Sequence, residues 1–308
     1  MTARRQTRNS PARDPFAHRA GATRHALALA LALACGSTGV ATAAAPQRIV
    51  SINVCTDQLA MLLVEPSRIK SLSFLAADPS SSAMAREGAV FHLNHGLAEE
   101  ILPFDPDIVL AGPYAARPAV TMLRRLGYRV FELPLGRTLA DVPRHIRLVA
   151  RALGAEARGE ELVRAFDTRL AAIPPAPTGP RPVAALFAPN GITSGDDSLP
   201  AAVMDAAGFD NLAARQGMHG VGRFSLEAIA AARPDALILG RLSVEYPSLA
   251  KATLDHPALR RSVPDSAVIG LPHHLWACAT PHIAEAVARL AAFRVRRAAA
   301  GSSATALP

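Results

Sequence analysis

The sequence predicts an α/β chain of two Rossmann-like lobes, each built on a mostly parallel central sheet, joined by one long interlobe helix. Three observations predict it. Short apolar runs alternate with segments of helical spacing, a long helical stretch lies mid-chain, and a frame of residues recurs at a fixed offset. The frame is Glu99, Pro106, Asp107 and Gly112, repeated 128 residues later as Glu227, Pro234, Asp235 and Gly240. Each copy reads as a short helix with a carboxylate in its first turn, a Pro-Asp corner, and a buried strand ending at glycine. Two related lobes leave a cleft between them, and such interfaces favour ligand sites.

Along the chain, residues 1–45 read as a signal peptide, with arginines through Arg24, an apolar run from Ala26 to Cys35 and an Ala-rich stretch to Ala45. Cleavage after Ala43 satisfies the small-x-small rule with Ala41, and Cys35 offers a lipid-anchored alternative. An apolar run of about ten residues is half what a ~30 Å hydrocarbon core requires, so the mature chain is expected to be soluble. The signal peptide puts it in the periplasm, and it is expected to be a monomer.

The first lobe, residues 46–138, holds strands at Arg48–Asn53, Ile69–Phe74, Asp107–Gly112 and Tyr128–Leu133, with helices over Thr56–Val64 and Pro118–Leu126. Residues 139–173 form the linking helical segment. It breaks near Gly154, and its second piece runs Ala155–Ala172 without a proline. Pro174, Pro175, Pro177, Pro180 and Pro182 then stop the helix and open the second lobe, residues 174–300. That lobe has strands at Val183–Phe187, Asp235–Gly240 and Ala267–Leu271 and a closing helix over Pro281–Arg296, with residues 301–308 expected as a disordered tail.

The formal charge of +8 suggests a nucleic-acid partner until the export segment, with six Arg and one Asp, is removed, which leaves +3. No basic run or interleaved aromatics remain to follow a phosphate backbone, so nucleic acid is excluded. No phosphate loop, CxxC or HExxH occurs, and "GITSGDDS" places its glycine three residues before Ser194, where a nucleophile elbow needs two. The most concrete hydrolase left would use Ser194, Asp196 and His219. The reading is therefore not an enzyme, and no cofactor is implied.

The segments "RIVSINVCTDQLAMLL", "LAEEILPFDPDIVLAG", "NGITSGDDSLPAAVMDAAGFDNLA" and "RFSLEAIAAARPDALILG", together with the interlobe helix, resemble the helical-backbone class of ABC-importer substrate-binding proteins, in its cobalamin and ferric-siderophore branch. The resemblance covers nearly all of residues 46–298. It implies a solute-binding protein that delivers a corrinoid or ferric-siderophore-type chelate to a permease dimer in the membrane, with a haem- or metal-binding protein of the same class as the alternative. It also implies that one acidic residue on each lobe docks on permease arginines, and the matching positions are Glu99 and Glu227. Two carboxylates on opposite lobes suit charge-assisted pairing with a two-fold partner.

By the same analogy the loops after the strands line the cleft. The candidate ligand contacts are Phe74, His92, Tyr114 and Arg117 on the first lobe, and Phe187, Asn190, His219, Arg223, His274 and Trp276 on the second. An exposed Trp276 ring would stack on a corrin or aromatic chelator, and as a core residue it would cap the lobe instead. Arg117 and Arg223 offer bidentate donors to ligand carboxylates. The His-rich loop of zinc-binding relatives is missing, so His92, His95, His273, His274 and His282 are kept as polar contacts. Cys55 and Cys278 would both lie near the cleft, as a lobe-tethering disulfide or as two buried thiols.

Overall fold

The computed structural model describes residues 44–114, 116–176, 179–241 and 253–304, and the export segment with Ala43 and Cys35 lies outside the described residues. The first lobe contains β1 (Ile49–Ser51), β2 (Ile69–Ser73), β3 (Leu93–Asn94), β4 (Ile108–Ala111) and β5 (Val130–Glu132), ordered β3-β2-β1-β4-β5 with every pair parallel. The second contains β6 (Val183–Phe187), β7 (Ile192–Ser194), β8 (Asp210–Asn211), β9 (Val221–Arg223), β10 (Ala236–Arg241) and β11 (Val268–Pro272). Four of these form a parallel sheet ordered β11-β10-β6-β8, and β7 pairs with β9 as an antiparallel ribbon. Read in reverse, β8-β6-β10-β11 repeats the first sheet's β2-β1-β4-β5. The duplication carried by the residue frame is thus a duplication of topology.

Helices alternate with the strands: α1 (Val54–Leu63), α2 (Ala98–Ile101), α3 (Arg117–Arg125), α4 (Asp141–Leu153), α5 (Glu156–Ala171), α6 (Leu199–Ala206), α7 (Leu226–Ala232) and α8 (Ile283–Ala304). The start of α1 is set by Asn53, whose side chain accepts from the backbone N–H groups of Cys55 and Thr56. The linking segment breaks where expected, at Gly154 in the left-handed region (φ 63°), and α4 and α5 pack against each other across that turn. The closing helix runs through Ala304. It passes the expected end at Arg296 and takes in the first residues assigned to a tail, while residues 305–308 lie outside the described residues.

The recurring frame has one physical job in each lobe. The Asp107 carboxylate accepts the backbone N–H groups of Gln47 and Arg48 at 2.7 and 2.8 Å, and Asp235 accepts that of Val183 at 2.8 Å. Each aspartate therefore ties the entry of its lobe's central strand, β1 or β6, to the strand beside it. The residues before the prolines, Asp105 and Arg233, both end their helical turn in the left-handed region at φ 41° and 45°, the same uncommon conformation at the same place in each copy. The glycines lie at the carboxyl ends of the strands, Gly112 just after β4 and Gly240 next to last in β10, where another segment passes close by. A Cβ on Gly112 would lie 2.6 Å from the Asn53 side chain, and one on Gly240 would lie 2.9 Å from the Ala188 Cβ.

One buried core cluster includes Ile146 of α4, Phe166 of α5, Leu186 of β6, Trp276 and Leu290 of α8, so linking helices and second lobe share apolar packing. Beneath it in the first lobe, Asp57 of α1 is fully buried and accepts from the Ser73 backbone N–H at 3.2 Å and from the Ser73 hydroxyl. Burial outweighs these bonds and pushes its pKa from 3.8 up to about 7. The folded state therefore holds a proton that the unfolded chain has lost. Stability from this group is full below about pH 4, declines as pH rises towards 7, and levels off above. Asp57→Asn keeps the hydrogen bonds without ionising. It is expected to flatten that decline and to unfold at a higher urea concentration than the parent at pH 8, as urea titrations at pH 5 and pH 8 would check.

Candidate functional site

A cavity of about 550 Å³ opens between the lobes. Its first-lobe side is Tyr114 together with Leu135, Gly136 and Arg137, on the segment that leaves β5 for the linking helices. The opposite side comes from the carboxyl ends of β6, β10 and β11, from the β7–β9 ribbon, and from the start of α6. The carboxyl end of a parallel sheet is where such folds bind ligands.

The walls are largely apolar, with Leu186, Ile192, Leu199, Val221 and Trp276 contributing. Arg137 and Asp197 are the charged side chains among the described lining residues, and they pair with each other from opposite sides of the cleft. This ion pair leaves the cavity without net charge. Water reaches His273 in the wall, yet the surrounding protein pushes its pKa below the usual histidine value and His274 adds to the shift, so the ring is neutral at neutral pH.

A side pocket of about 220 Å³ adjoins the cavity and shares Tyr114, Leu135, Gly136 and Ala277 with it. Cys55 and Cys278 lie in its wall and form a disulfide, their Cα atoms 5.3 Å apart, so the alternative of two buried thiols does not hold. Around the bond, Gln58 of α1 reaches Thr280, and His274 Nδ1 lies 2.8 Å from the Pro79 carbonyl. The Leu275–Thr280 segment of the second lobe is thereby held on the first.

Of the ten candidate ligand contacts, Tyr114 and Trp276 line the cavity. Tyr114 is 78% exposed at its edge. Trp276 is only 3% exposed and packs in the core, the second of its two alternatives: the turn after β11 folds the indole inward over the apolar cluster. Phe187 is likewise a core residue at 1% exposure, because its position on β6 points into the apolar layer that Leu212 and Ile229 complete. Phe74 stacks on His95 with ring centroids 5.1 Å apart, and His92 packs edge-on against Phe104, both away from the cavity lining. Arg117 is taken by Glu132 at 2.7 Å. Asn190 (φ 62°), Arg223 and His274 also fall outside the lining.

His219 pairs with Asp196 at 2.5 Å and not with the ligand cavity. No hydrogen bond joins His219 to Ser194 among the described residues, so the serine-hydrolase arrangement is incomplete. Glu99 and Glu227 are both exposed, each in the first turn of its helix, α2 and α7.

The lining residues that sequence reasoning missed include two runs, Leu135–Arg137 and Asp197–Pro200. A signal existed for the second group. Ser198 before Leu-Pro is a helix start, and the Ser198 hydroxyl does accept the Ala201 N–H, which puts the first turn of α6 at the cavity. The first group follows a short strand with no periodicity to mark it.

The family profile described as "Periplasmic binding protein" matches residues 82–262, more than half of the chain. A cobalamin-binding protein of Halobacterium salinarum is 26% identical over 211 residues, which are 66% of this chain and 56% of the relative. The chain thus spans little more than half the length of that curated relative. Among solved structures, the periplasmic heme-binding protein of Roseiflexus sp. RS-1 in apo form superposes with a TM-score of 0.65 at 22% identity, over 82% of this chain and 99% of its own. The periplasmic vitamin B12 binding protein of Vibrio cholerae superposes with a TM-score of 0.58 at 17% identity, over 82% and 98%. With the two-sheet topology, the cleft between the lobes and a profile match over most of the chain in agreement, this chain belongs to the periplasmic binding protein family.

Proposed function

We propose that the chain is the periplasmic solute-binding component of an ABC importer and that its solute is a corrinoid, held in the cleft and handed to a permease dimer in the membrane. The observation that carries the choice of solute is the charge of the cavity. Arg137 is neutralised by Asp197, and the remaining described walls are apolar or neutral. A polyanionic ferric chelate would enter without a cation to meet it and would lose its hydration uncompensated. A corrinoid presents a broad apolar ring edged with uncharged amides, which suits apolar walls interrupted by Ser194, Ser198 and a neutral His273. The similarity to a cobalamin-binding protein supports the same reading.

Titration of the purified chain with cyanocobalamin and, separately, with a ferric hydroxamate, a ferric catecholate and haemin tests it, by quenching of the single tryptophan and by absorption of the protein after gel filtration. The expected result is co-elution of red corrinoid with a dissociation constant in the micromolar range or below. Retention of haemin or an iron chelate with no retention of corrinoid would overturn the choice of solute. The paired acids Glu99 and Glu227 supply the permease contact.

A further inference from the structure

The side pocket holds a polar group with nothing to bond. His145 of α4 is 2% exposed, lies in the pocket wall, and its Nε2 has no hydrogen-bond partner among the described residues. Leaving such an atom bare typically costs about 1–3 kcal/mol, so buried imidazole nitrogens are normally paired. The pocket wall gives it no partner among the described residues: Leu133, Pro134, Leu135 and Ala279 are apolar, Cys55 and Cys278 are joined to each other, and of the polar residues there, the Asn53 side-chain oxygen is taken by the start of α1 and Tyr114 makes no hydrogen bond to the imidazole. The pocket, at about 220 Å³, is roomy enough for a ligand group and shares Tyr114, Leu135, Gly136 and Ala277 with the main cavity. Gly136 is the sill between them. A Cβ there would lie 2.5 Å from the Ala279 Cβ and 3.0 Å from His145 Cε1, so only glycine leaves the chain free to pass this close over the imidazole.

We infer that this pocket is a subsite for one pendant amide arm of the solute, hydrogen-bonded to His145 Nε2 while the ring of the solute lies in the main cavity. The inference rests on the corrinoid reading above and adds to it a recognition contact. Burial lowers the His145 pKa, which keeps the ring neutral and argues against a charged carboxylate arm as the natural occupant. A primary amide carries both a donor and an acceptor, so it satisfies Nε2 in either tautomer. The disulfide is part of the pocket wall.

Cyanocobalamin titrations of the parent, His145→Leu and His145→Gln test the subsite, with thermal melts of each alone. His145→Leu fills similar volume without a polar atom, and His145→Gln restores one. The expected result is about a tenfold loss of affinity in the Leu variant, recovery to within about threefold in the Gln variant, and unchanged melting order with and without disulfide reductant. A Leu variant that folds and binds like the parent would overturn the inference while leaving the corrinoid reading intact. A parent that binds no corrinoid would overturn both. If His145→Leu does not fold, the histidine ¹⁵N spectrum of the parent decides: a shift of the buried imidazole on adding cyanocobalamin supports the contact, and no shift overturns it.

Discussion

Breaking the Cys55–Cys278 bond, by Cys278→Ser or by reductant, is expected to lower the stability of the folded chain by about 5 kcal/mol, and its melting temperature by about 10 to 20 °C. The bond closes a loop across a sequence separation of 223 residues, almost the whole described chain. In the chain-entropy account, the unfolded state loses more freedom the longer the loop, and this loop lies near the long end of what proteins close. Cys278 is itself buried, so the serine variant also places a hydroxyl in a buried setting, with the Gln58 amide nitrogen 3.9 Å from the sulfur it replaces. The bond has a second consequence. It joins the first turn of α1 in one lobe to the segment after β11 in the other, close to the linking helices. A tether so near the pivot restricts opening, in the same sense as the shared apolar core. The oxidised chain is therefore expected to show nearly the same X-ray scattering profile with and without solute. Scanning calorimetry of oxidised and reduced protein measures the stability change, and a difference under about 1 kcal/mol would show that the bond constrains little.

Much of this architecture was legible in the residues because it rests on local rules. A buried strand such as Val183–Phe187 announces itself by its run of apolar residues, and the structure places β6 on those same five. The Glu-Pro-Asp-Gly frame was legible because each member does a backbone job: a left-handed turn before proline, a carboxylate on the neighbouring strand's N–H groups, and a glycine under a crossing loop. The ligand contacts were not legible to the same degree. Whether Trp276 faces the cleft or the core depends on one turn after β11, and no pattern in "LPHHLWACAT" fixes it. The ribbon of β7 and β9 joins Ile192–Ser194 to Val221–Arg223, two strands of three residues each, too short to give a period. His145 was hidden for a different reason. On the sequence it is an apolar-face position of α4, and only the packing of Gly136 and Ala279 above it reveals that its Nε2 is bare.

Replacing both Glu99 and Glu227 with glutamine is expected to reduce solute uptake at least tenfold in cells while leaving solute affinity and melting temperature of the purified chain unchanged. The two positions occupy the same place in the repeated unit, the exposed first turn of α2 and of α7, so a partner with two-fold symmetry meets two like charges in like surroundings. Capping does not explain Glu99. On the first lobe the neighbouring Glu100 already takes the local duty, accepting the His95 backbone N–H at 2.5 Å and facing its Nδ1 at 3.0 Å, and Glu99 has no hydrogen bond or ion pair among the described residues. On the second lobe Glu227 does serve its helix. Its own backbone N–H and the Ser225 hydroxyl hold its pKa below the usual glutamate value, so it is charged at neutral pH. Glutamine preserves shape and hydrogen-bonding capacity at both sites and removes only the charge, and a charge-assisted bond across an interface contributes about 1.5–3 kcal/mol, a factor of roughly 10 to 100 for each. Single variants should fall between parent and double variant, the signature of two contacts made together by one docking event. Uptake of labelled solute by cells carrying each variant, beside titrations on the purified proteins, separates the outcomes. Uptake that survives the double substitution would remove these residues from the docking face, and a parallel loss of solute affinity would move them into the binding site.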